Sequence, residues 1–302
     1  NQDMWDECSK GQIIDLFQFI TPVGGQCIKK IQPHNILELT NANSLMRITV
    51  EGEQQPVDKF LAYKHDPTLW DKELARYGVI DPIEIKALDS VLNYCYHVPS
   101  MQEDVMELLQ HPDISNFSLR EADVARKIIA KKKRDKVEGL HKDFYDAVEK
   151  NGHSINVANY VWNECIKPQL AYSFSRNHVM PYSAEAVQEM NLYHFYPHVY
   201  WNCAVLNVNA GLSDAESAKN IQYSKIAGAI YRSTEFGVPV SAPSINKSEN
   251  EFTPIEETNT IFYGIGCIAG LGQETTNQII SNRPYATFRD FYTRNSYQGT
   301  LI

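Results

Sequence analysis

The sequence predicts a mainly helical protein that ends in a small mixed α(+β) domain. Three features predict it: closely spaced helix-start signals, apolar residues at helical intervals behind each, and a proline-containing polar stretch late in the chain. At Asp81-Pro82-Ile83-Glu84 an N-cap aspartate precedes proline at the first helical position, with glutamate where a capping box closes. Ile85, Leu88 and Leu92 follow at helical spacing. Ser100-Met101-Gln102-Glu103, directly after Pro99, has the same form and leads into Val105, Met106, Leu108 and Leu109. Glu103 is read there as the residue that reaches back to the cap. Ser118-Leu119-Arg120-Glu121 opens a third helix through Ala122, Ala125, Ile128 and Ile129 into a lysine run.

Further along, Tyr182–Tyr196 reads as a largely buried helix stopped by Pro197. The polar, glycine-containing stretch from Asn207 to Ser213 is the expected boundary, dividing residues 1–210 from 211–302. A helix at Ala215–Phe236 then leads into Gly237–Thr260, whose Pro239, Pro243 and Pro254 predict extended pieces and loops. Ile265–Ala269 reads as a short helix, Gly270-Leu271-Gly272 as a hairpin and Gln273–Ser281 as a second helix.

A chain of 302 residues suits two compact domains, and 43% hydrophobic residues exclude a mostly disordered one. It has no apolar run of the ~18 residues a membrane span needs and no charged-then-apolar leader. A soluble cytoplasmic protein without membrane contact is expected. The cysteines (Cys8, Cys27, Cys95, Cys165, Cys203 and Cys267) are scattered, with no Cys-x-x-Cys. Free buried thiols are expected, rather than a zinc ribbon or a disulfide framework. His194 and His198 have the spacing of a helical metal pair, but Pro197 between them breaks the helix.

The net charge of −9 argues against a nucleic-acid partner. Its distribution says otherwise. Arg120, Arg126, Lys127, Lys131, Lys132, Lys133, Arg134 and Lys136 crowd one segment, opposed only by Glu121, Asp123 and Asp135. Such a segment faces phosphates or is a solvated helix end, in which Lys131–Arg134 complement the negative C-terminal pole.

Glu121-Ala-Asp-Val-Ala-Arg126-Lys127-Ile-Ile-Ala-Lys131-Lys132-Lys133 resembles the fingers motif of family C replicative DNA polymerases, the family of the bacterial DNA polymerase III alpha subunit. That motif is usually written E/G-A-D-x-L-R-R-A-M-G-K-K-K. Other landmarks follow the family's order. Leu16-Phe17-Gln18-Phe19 resembles V-F-Q-x-E-S, and Asn43-Ser44-Leu45-Met46-Arg47 the stretch ending in R-P-G. Met101–Met106 resembles Y-Q-E-Q-V-M, and Tyr172–His178 resembles Y-G-F-N-K-S-H. Tyr263–Gly272 resembles Y-G-I-G-A-I-K-G-V-G. Together they cover nearly the whole chain, which the resemblance divides into a helical fingers domain and a helix–hairpin–helix domain.

The resemblance implies that Arg126 and Lys127 reach the phosphates of an incoming nucleotide, where charge develops as pyrophosphate leaves. Lys127 stands where the family has arginine; it keeps the charge and loses the planar fork. Arg47, Lys131, Arg176 and His178 are the other nucleotide-binding candidates. Arg176 and Asn177 replace the family's lysine and serine, and Ile48-Thr49 replace its proline-glycine, so a different local turn is expected. For DNA the candidates are Gly270, Leu271 and Gly272, with Lys132 and Lys133. Glycines let the backbone approach a phosphate, and amides at a helix start face it.

Two-metal nucleotidyl transfer needs paired carboxylates, and no Asp-x-Asp occurs here. In the family these acids belong to the palm, which precedes the element matched by residues 16–19. The resemblance therefore implies Mg2+ held by a palm outside this chain. Primer-template DNA and dNTPs are the expected ligands, a palm-bearing polypeptide the partner, and a sliding clamp a further partner through sequence beyond Ile302. Alone, the chain is expected to be inactive. A phage split polymerase fits the departures from the bacterial pattern. The alternatives are a non-catalytic DNA-binding remnant and a structural module of a replisome.

Overall fold

The structure, a computed structural model, describes residues 1–50, 54–130, 134–170, 172–211 and 221–295. Its internal contacts form two units, one of Asn1–Gly11 with Leu16–Gln188, the other of Gln12–Asp15 with Glu189–Ile302. The division falls inside a helix, not at the polar stretch after Asn207 where the sequence suggests a break.

The first unit is helical. It contains α1 (Gln2–Ser9), α2 (Pro22–Ile31), α3 (Ile36–Leu45), α4 (Pro56–His65), α5 (Thr68–Tyr77), α6 (Pro82–Leu92) and α7 (Gln102–Gln110). Then come α8 (Leu119–Ala130), α9 (Arg134–Lys150), α10 (Ile155–Tyr160), a π-helical turn at Val161–Ile166, and α11 (Lys167–Gln169). The long α12 (Arg176–Phe195) begins in this unit and ends in the other. Leu39, Leu45, Phe60, Leu88, Leu108, Phe144 and Tyr160 are fully buried here.

Two of the three expected helix starts are capped by the residue the sequence predicts. Asp81 accepts the Ile83 amide at 2.8 Å with Pro82 at the first position. Ser118 and Glu121 exchange bonds, Ser118 N donating to Glu121 Oε2 (2.8 Å) and Glu121 N to Ser118 Oγ (3.3 Å). Glu84, however, does not reach back to its cap. Only 2% exposed, it accepts the amide (2.6 Å) and hydroxyl (2.8 Å) of Ser154, the N-cap of α10. Its carboxylate is the buried group, and a charge taken out of water needs hydrogen bonds, which this distant helix start supplies.

The expectation of a largely buried helix at Tyr182–Tyr196 is corrected. α12 starts at Arg176, carries Pro181 inside it, and buries one stripe, Val179, Ser183, Ala186, Met190 and Tyr193. Leu192 and Phe195 lie off that stripe and are exposed. Pro197 then caps α13 (His198–Ala210), so His194 and His198 sit on different helices, and His198 stacks on Tyr193 at 4.0 Å.

In the second unit α13 packs on α14 (Tyr223–Glu235). The helix expected from Ala215 is seen from Tyr223; positions 212–220 lie outside the described residues. Gly237–Thr260 forms extended pieces as expected: β1 (Val240–Ser241) and β2 (Thr253–Ile255), which join β3 (Thr260–Phe262) in the order β1-β3-β2. β1 runs parallel to β3 and β2 antiparallel, with Val240 and Pro254 both opposite Ile261. Pro254 is tolerated because β2 is an edge strand. Val199, Leu206, Ala229, Phe252 and Ile261 form the core, to which Gln12–Asp15 adds Ile14. Trp201 Nε1 donates to Ile14 O (2.9 Å), and Arg232 pairs with Asp15 (2.7 Å). α15 (Gln273–Ser281) and α16 (Phe288–Asn295) complete the unit around Ile265, Ile279 and Tyr285.

All six cysteines are free and buried. Burial pushes Cys8, Cys27, Cys203 and Cys267 up to about 12, and Cys95 and Cys165 well above the ordinary thiol value. The thiolate is the reactive form. A neutral-pH titration with an aromatic disulfide reagent is therefore expected to modify almost none of them in the folded chain and all six after denaturation. Rapid native labelling would contradict this packing.

Candidate functional site

The site is organised by the first turn of α7, which clasps the segment Tyr172–Arg176. Met101 and Phe174 form an isolated parallel bridge. Gln102 N donates to Phe174 O (2.9 Å), and Gln102 Nε2 donates to Ser173 O (2.9 Å). Glu103 accepts the Ser175 hydroxyl (2.9 Å) and the Arg176 amide (2.6 Å), so it anchors the start of α12. The expectation that Glu103 closes its own capping box is thus corrected.

Asp104 takes that part instead. Its Oδ2 accepts the amides of Ser100 and Met101, both at 2.8 Å. Its Oδ1 accepts the Tyr94 hydroxyl and Arg176 Nη2. Asp104 is fully buried. Burial raises its pKa, against bonds from Tyr94, Met101, Arg176 and Ser100 that favour the charge. Arg176 extends away from its segment, pairing with Asp104 (2.8 Å) and Glu107 (2.7 Å) over the Tyr94 ring.

Around the clasped segment the fold collects the other cations. Arg126 projects from α8, which packs on α7. Its Nε and Nη2 donate to Asp123 Oδ1 (3.1 and 2.8 Å), and its Nη1 donates to Gln102 Oε1 (3.1 Å). Lys127 pairs with Asp123 Oδ2 at 2.6 Å. These are the i,i+3 and i,i+4 partners that one helix face brings together. Lys127 and Arg126 hold the Asp123 carboxyl below its ordinary value. The Arg126 and Lys127 side chains are 30% and 52% exposed, so two cations and one carboxylate face solvent with net positive charge.

Arg47 lies 4.9 Å over the Phe174 ring and bonds to Gln18 and Asn43. His178 meets Phe174 at 5.4 Å and Tyr182 at 4.2 Å, and Tyr182 meets Phe17 at 5.2 Å. Phe174 is therefore shared by Arg47 and His178, and its neighbour Ser173 is linked through Gln102 to Arg126. The substituted turn after Arg47 is closed by the Ile48 amide donating to Leu45 O (3.0 Å), a bond a proline there lacks. Lys131, Lys132 and Lys133 lie outside the described residues. A cleft of ≈ 790 Å³, lined by Asn116, Arg120, Glu121, Asp143 and Lys150 among others, uses a different face of α8 and none of the expected site residues.

The sequence reading missed Gln102 as a link and Asp123 as a shared counter-ion. Asp123 was accessible to it, since its offsets from Arg126 and Lys127 are helical. Gln102 was not.

In the second unit the hairpin takes the expected form, with a 3-10 turn at Ile265–Cys267 before it and α15 after it. Gly270 has φ +85°, a left-handed conformation suited to glycine. A Cβ at Gly270 or Gly272 would meet nothing within 4 Å, so this side of the hairpin is open. Gly264 and Gly266 differ: a Cβ there would strike the backbone of Asn250–Glu251. Leu271 packs inward on Ile265, Ile279 and Tyr285. Gly272 is the N-cap of α15 and brings no side-chain cap, while Glu274 lies in the first turn. Arg294 is used internally, donating to Asn282 O (2.6 Å) and Pro284 O (2.7 Å) at the other end of α15.

Residues 1–152 match the bacterial DNA polymerase III alpha subunit finger domain, and residues 237–299 match a helix-hairpin-helix motif. The chain is 39% identical, over 304 aligned residues, to the DNA-directed DNA polymerase of Bacillus phage SPbeta and to a probable DNA polymerase of Bacillus subtilis (strain 168). Each alignment covers 99% of this chain and 23% of the relative. Against the DNA polymerase III subunit alpha of Borreliella burgdorferi the identity is 30% over 289 residues, covering 94% of this chain and 23% of that protein. No helix among the described residues is long and apolar enough to cross a membrane. With the finger match spanning half of its length, followed by the hairpin match in a separate unit, this chain belongs to the family of the bacterial DNA polymerase III alpha subunit.

Proposed function

We propose that this chain supplies the nucleotide-gripping fingers and a duplex-holding hairpin of a DNA-directed DNA polymerase, with Arg126 as the principal triphosphate contact. The observation that carries this reading is the arrangement of Arg126. It is held part-exposed by Asp123 and Gln102, beside Lys127 and next to the segment that Arg47 and His178 flank. A triphosphate competes with Asp123 for the same donors and brings more charge to them, so the cations wait in place rather than being gathered on binding. His178, between Phe174 and Tyr182, offers an aromatic edge to a base. Arg176, committed to Asp104 and Glu107, orders the segment from which His178 projects.

The described residues contain no group of three His, Cys, Asp or Glu placed to hold a metal. Mg2+ is assigned in this proposal to a palm on another polypeptide segment. The hairpin's open glycines and the positive pole of α15 suit a DNA phosphate, a contact blind to sequence.

The test is primer extension by this chain combined with a palm-bearing polypeptide of the same family. Extension that requires both components supports the reading. Failure to extend a primer, with duplex binding that dNTPs leave unchanged, would reduce the chain to a DNA-binding module. In the same assay Gly270→Val, which forces a branched residue to positive φ, is expected to weaken duplex binding equally for unrelated sequences. Its triphosphate binding should match the wild type.

A further inference from the structure

We propose that Gln102 is the positioning residue that sets the plane of the Arg126 guanidinium for triphosphate capture. This rests on the reading of Arg126 as the triphosphate contact. The guanidinium has two edges in use. Asp123 occupies Nε and Nη2, and Gln102 Oε1 accepts from Nη1 at 3.1 Å. An arriving phosphate and the Asp123 carboxylate carry like charge and compete for the same donors. Gln102 is neutral, so it neither repels the phosphate nor is displaced by charge. It therefore stays on the guanidinium while Asp123 yields.

The Gln102 amide is itself locked. Its Nε2 donates to Ser173 O at 2.9 Å, and its backbone amide donates to Phe174 O at 2.9 Å. The opposite amide orientation would set NH2 against the guanidinium donors and oxygen against the Ser173 carbonyl. Only one orientation satisfies both neighbours. One side chain thus joins Arg126 on α8 to the segment bearing Phe174, over which Arg47 lies. Any turn of the guanidinium away from that plane breaks a charge-assisted bond.

The experiment uses the whole 302-residue chain, with calorimetric titration of inorganic tripolyphosphate and, separately, of dATP. The proteins are wild type, Gln102→Met, Gln102→Glu, Arg126→Ala and the Gln102→Met/Arg126→Ala double variant. Gln102→Met keeps length and removes both amide bonds. It is expected to weaken both ligands about tenfold, the loss of one bond to a charged group. Gln102→Glu keeps the acceptor and adds a charge that opposes phosphate, so its weakening is expected to grow as salt is lowered. The double variant should bind no more weakly than Arg126→Ala, because a positioning residue has nothing left to position.

Equal affinity of wild type and Gln102→Met, with Arg126→Ala impaired, overturns this proposal and leaves the Arg126 reading intact. A Gln102→Met loss that persists in the Arg126→Ala background also overturns it, by showing that Gln102 acts elsewhere. Arg126→Ala binding like wild type sinks the underlying reading itself. Should Gln102→Met fail to fold, Gln102→Glu decides: salt-independent binding equal to wild type counts against the proposal.

Discussion

Replacing Arg126 with alanine is expected to lower single-nucleotide incorporation by about 10²–10³-fold while duplex affinity changes little. The loss follows from where the charge acts. In phosphoryl transfer, negative charge builds on the departing pyrophosphate, and a donor already aimed there lowers the barrier without reorganisation. On the proposed reading Arg126 supplies that donor, since Asp123 holds two of its nitrogens and Gln102 the third. Arg126→Lys should recover only part of the rate, since a point charge cannot bridge two phosphate oxygens in a plane. Rapid-quench measurement with a palm-bearing partner, beside a gel-shift measurement of duplex binding, reads both quantities. Equal incorporation by wild type and Arg126→Ala would show that the family's role does not transfer to this position.

The second large effect is on stability. Asp104→Ala is expected to cost about 3–5 kcal/mol, as removal of one partner from a buried ionic network does. The change leaves the Ser100 and Met101 amides, the Tyr94 hydroxyl and one edge of Arg176 without their acceptor in a site closed to water. Each orphaned donor carries a desolvation penalty, and Arg176 keeps a charge partnered only by Glu107. Asp104→Asn should cost less, since one oxygen can still accept. Thermal unfolding followed by circular dichroism should show the alanine variant melting roughly ten degrees or more below wild type. A shift of a degree or two would mean that the Asp104 network contributes nothing net.

The two effects separate because neighbouring residues of α7 do different work. Gln102 faces the exposed cations, Glu103 holds the start of α12, and Asp104 turns inward. Helical spacing distributes adjacent side chains around the axis, so one turn serves a part-exposed cation, a chain junction and a core.

Features whose partners lie within one helical turn were readable from the chain itself. The Ser118–Glu121 box, the Asp81 cap and the pairing of Asp123 with Arg126 and Lys127 are of this kind. So was the hairpin at Gly270–Gly272, where glycine marks a backbone conformation that other residues resist. Glu84 and Glu103 show the limit. Both stand where a capping box closes, yet both leave it for partners some seventy positions away, at Ser154 and at Ser175–Arg176. The local signal was present, and tertiary partners outweighed it: the buried Glu84 carboxylate finds its donors at Ser154, and at α7 Asp104 takes the Ser100 and Met101 amides, which leaves Glu103 to Ser175 and Arg176.

The sequence by itself determined the helical character, the order of the family's landmarks, the cluster of cations and the hairpin, since each depends on spacing along the chain. Only the tertiary structure decided which partner each of these side chains meets. It laid Arg47 over Phe174, linked Arg126 through Gln102 to Ser173 and turned Arg176 toward Asp104. The physical reason is range: propensity and capping act over one turn, whereas desolvation and hydrogen-bond satisfaction act between whichever groups packing places side by side.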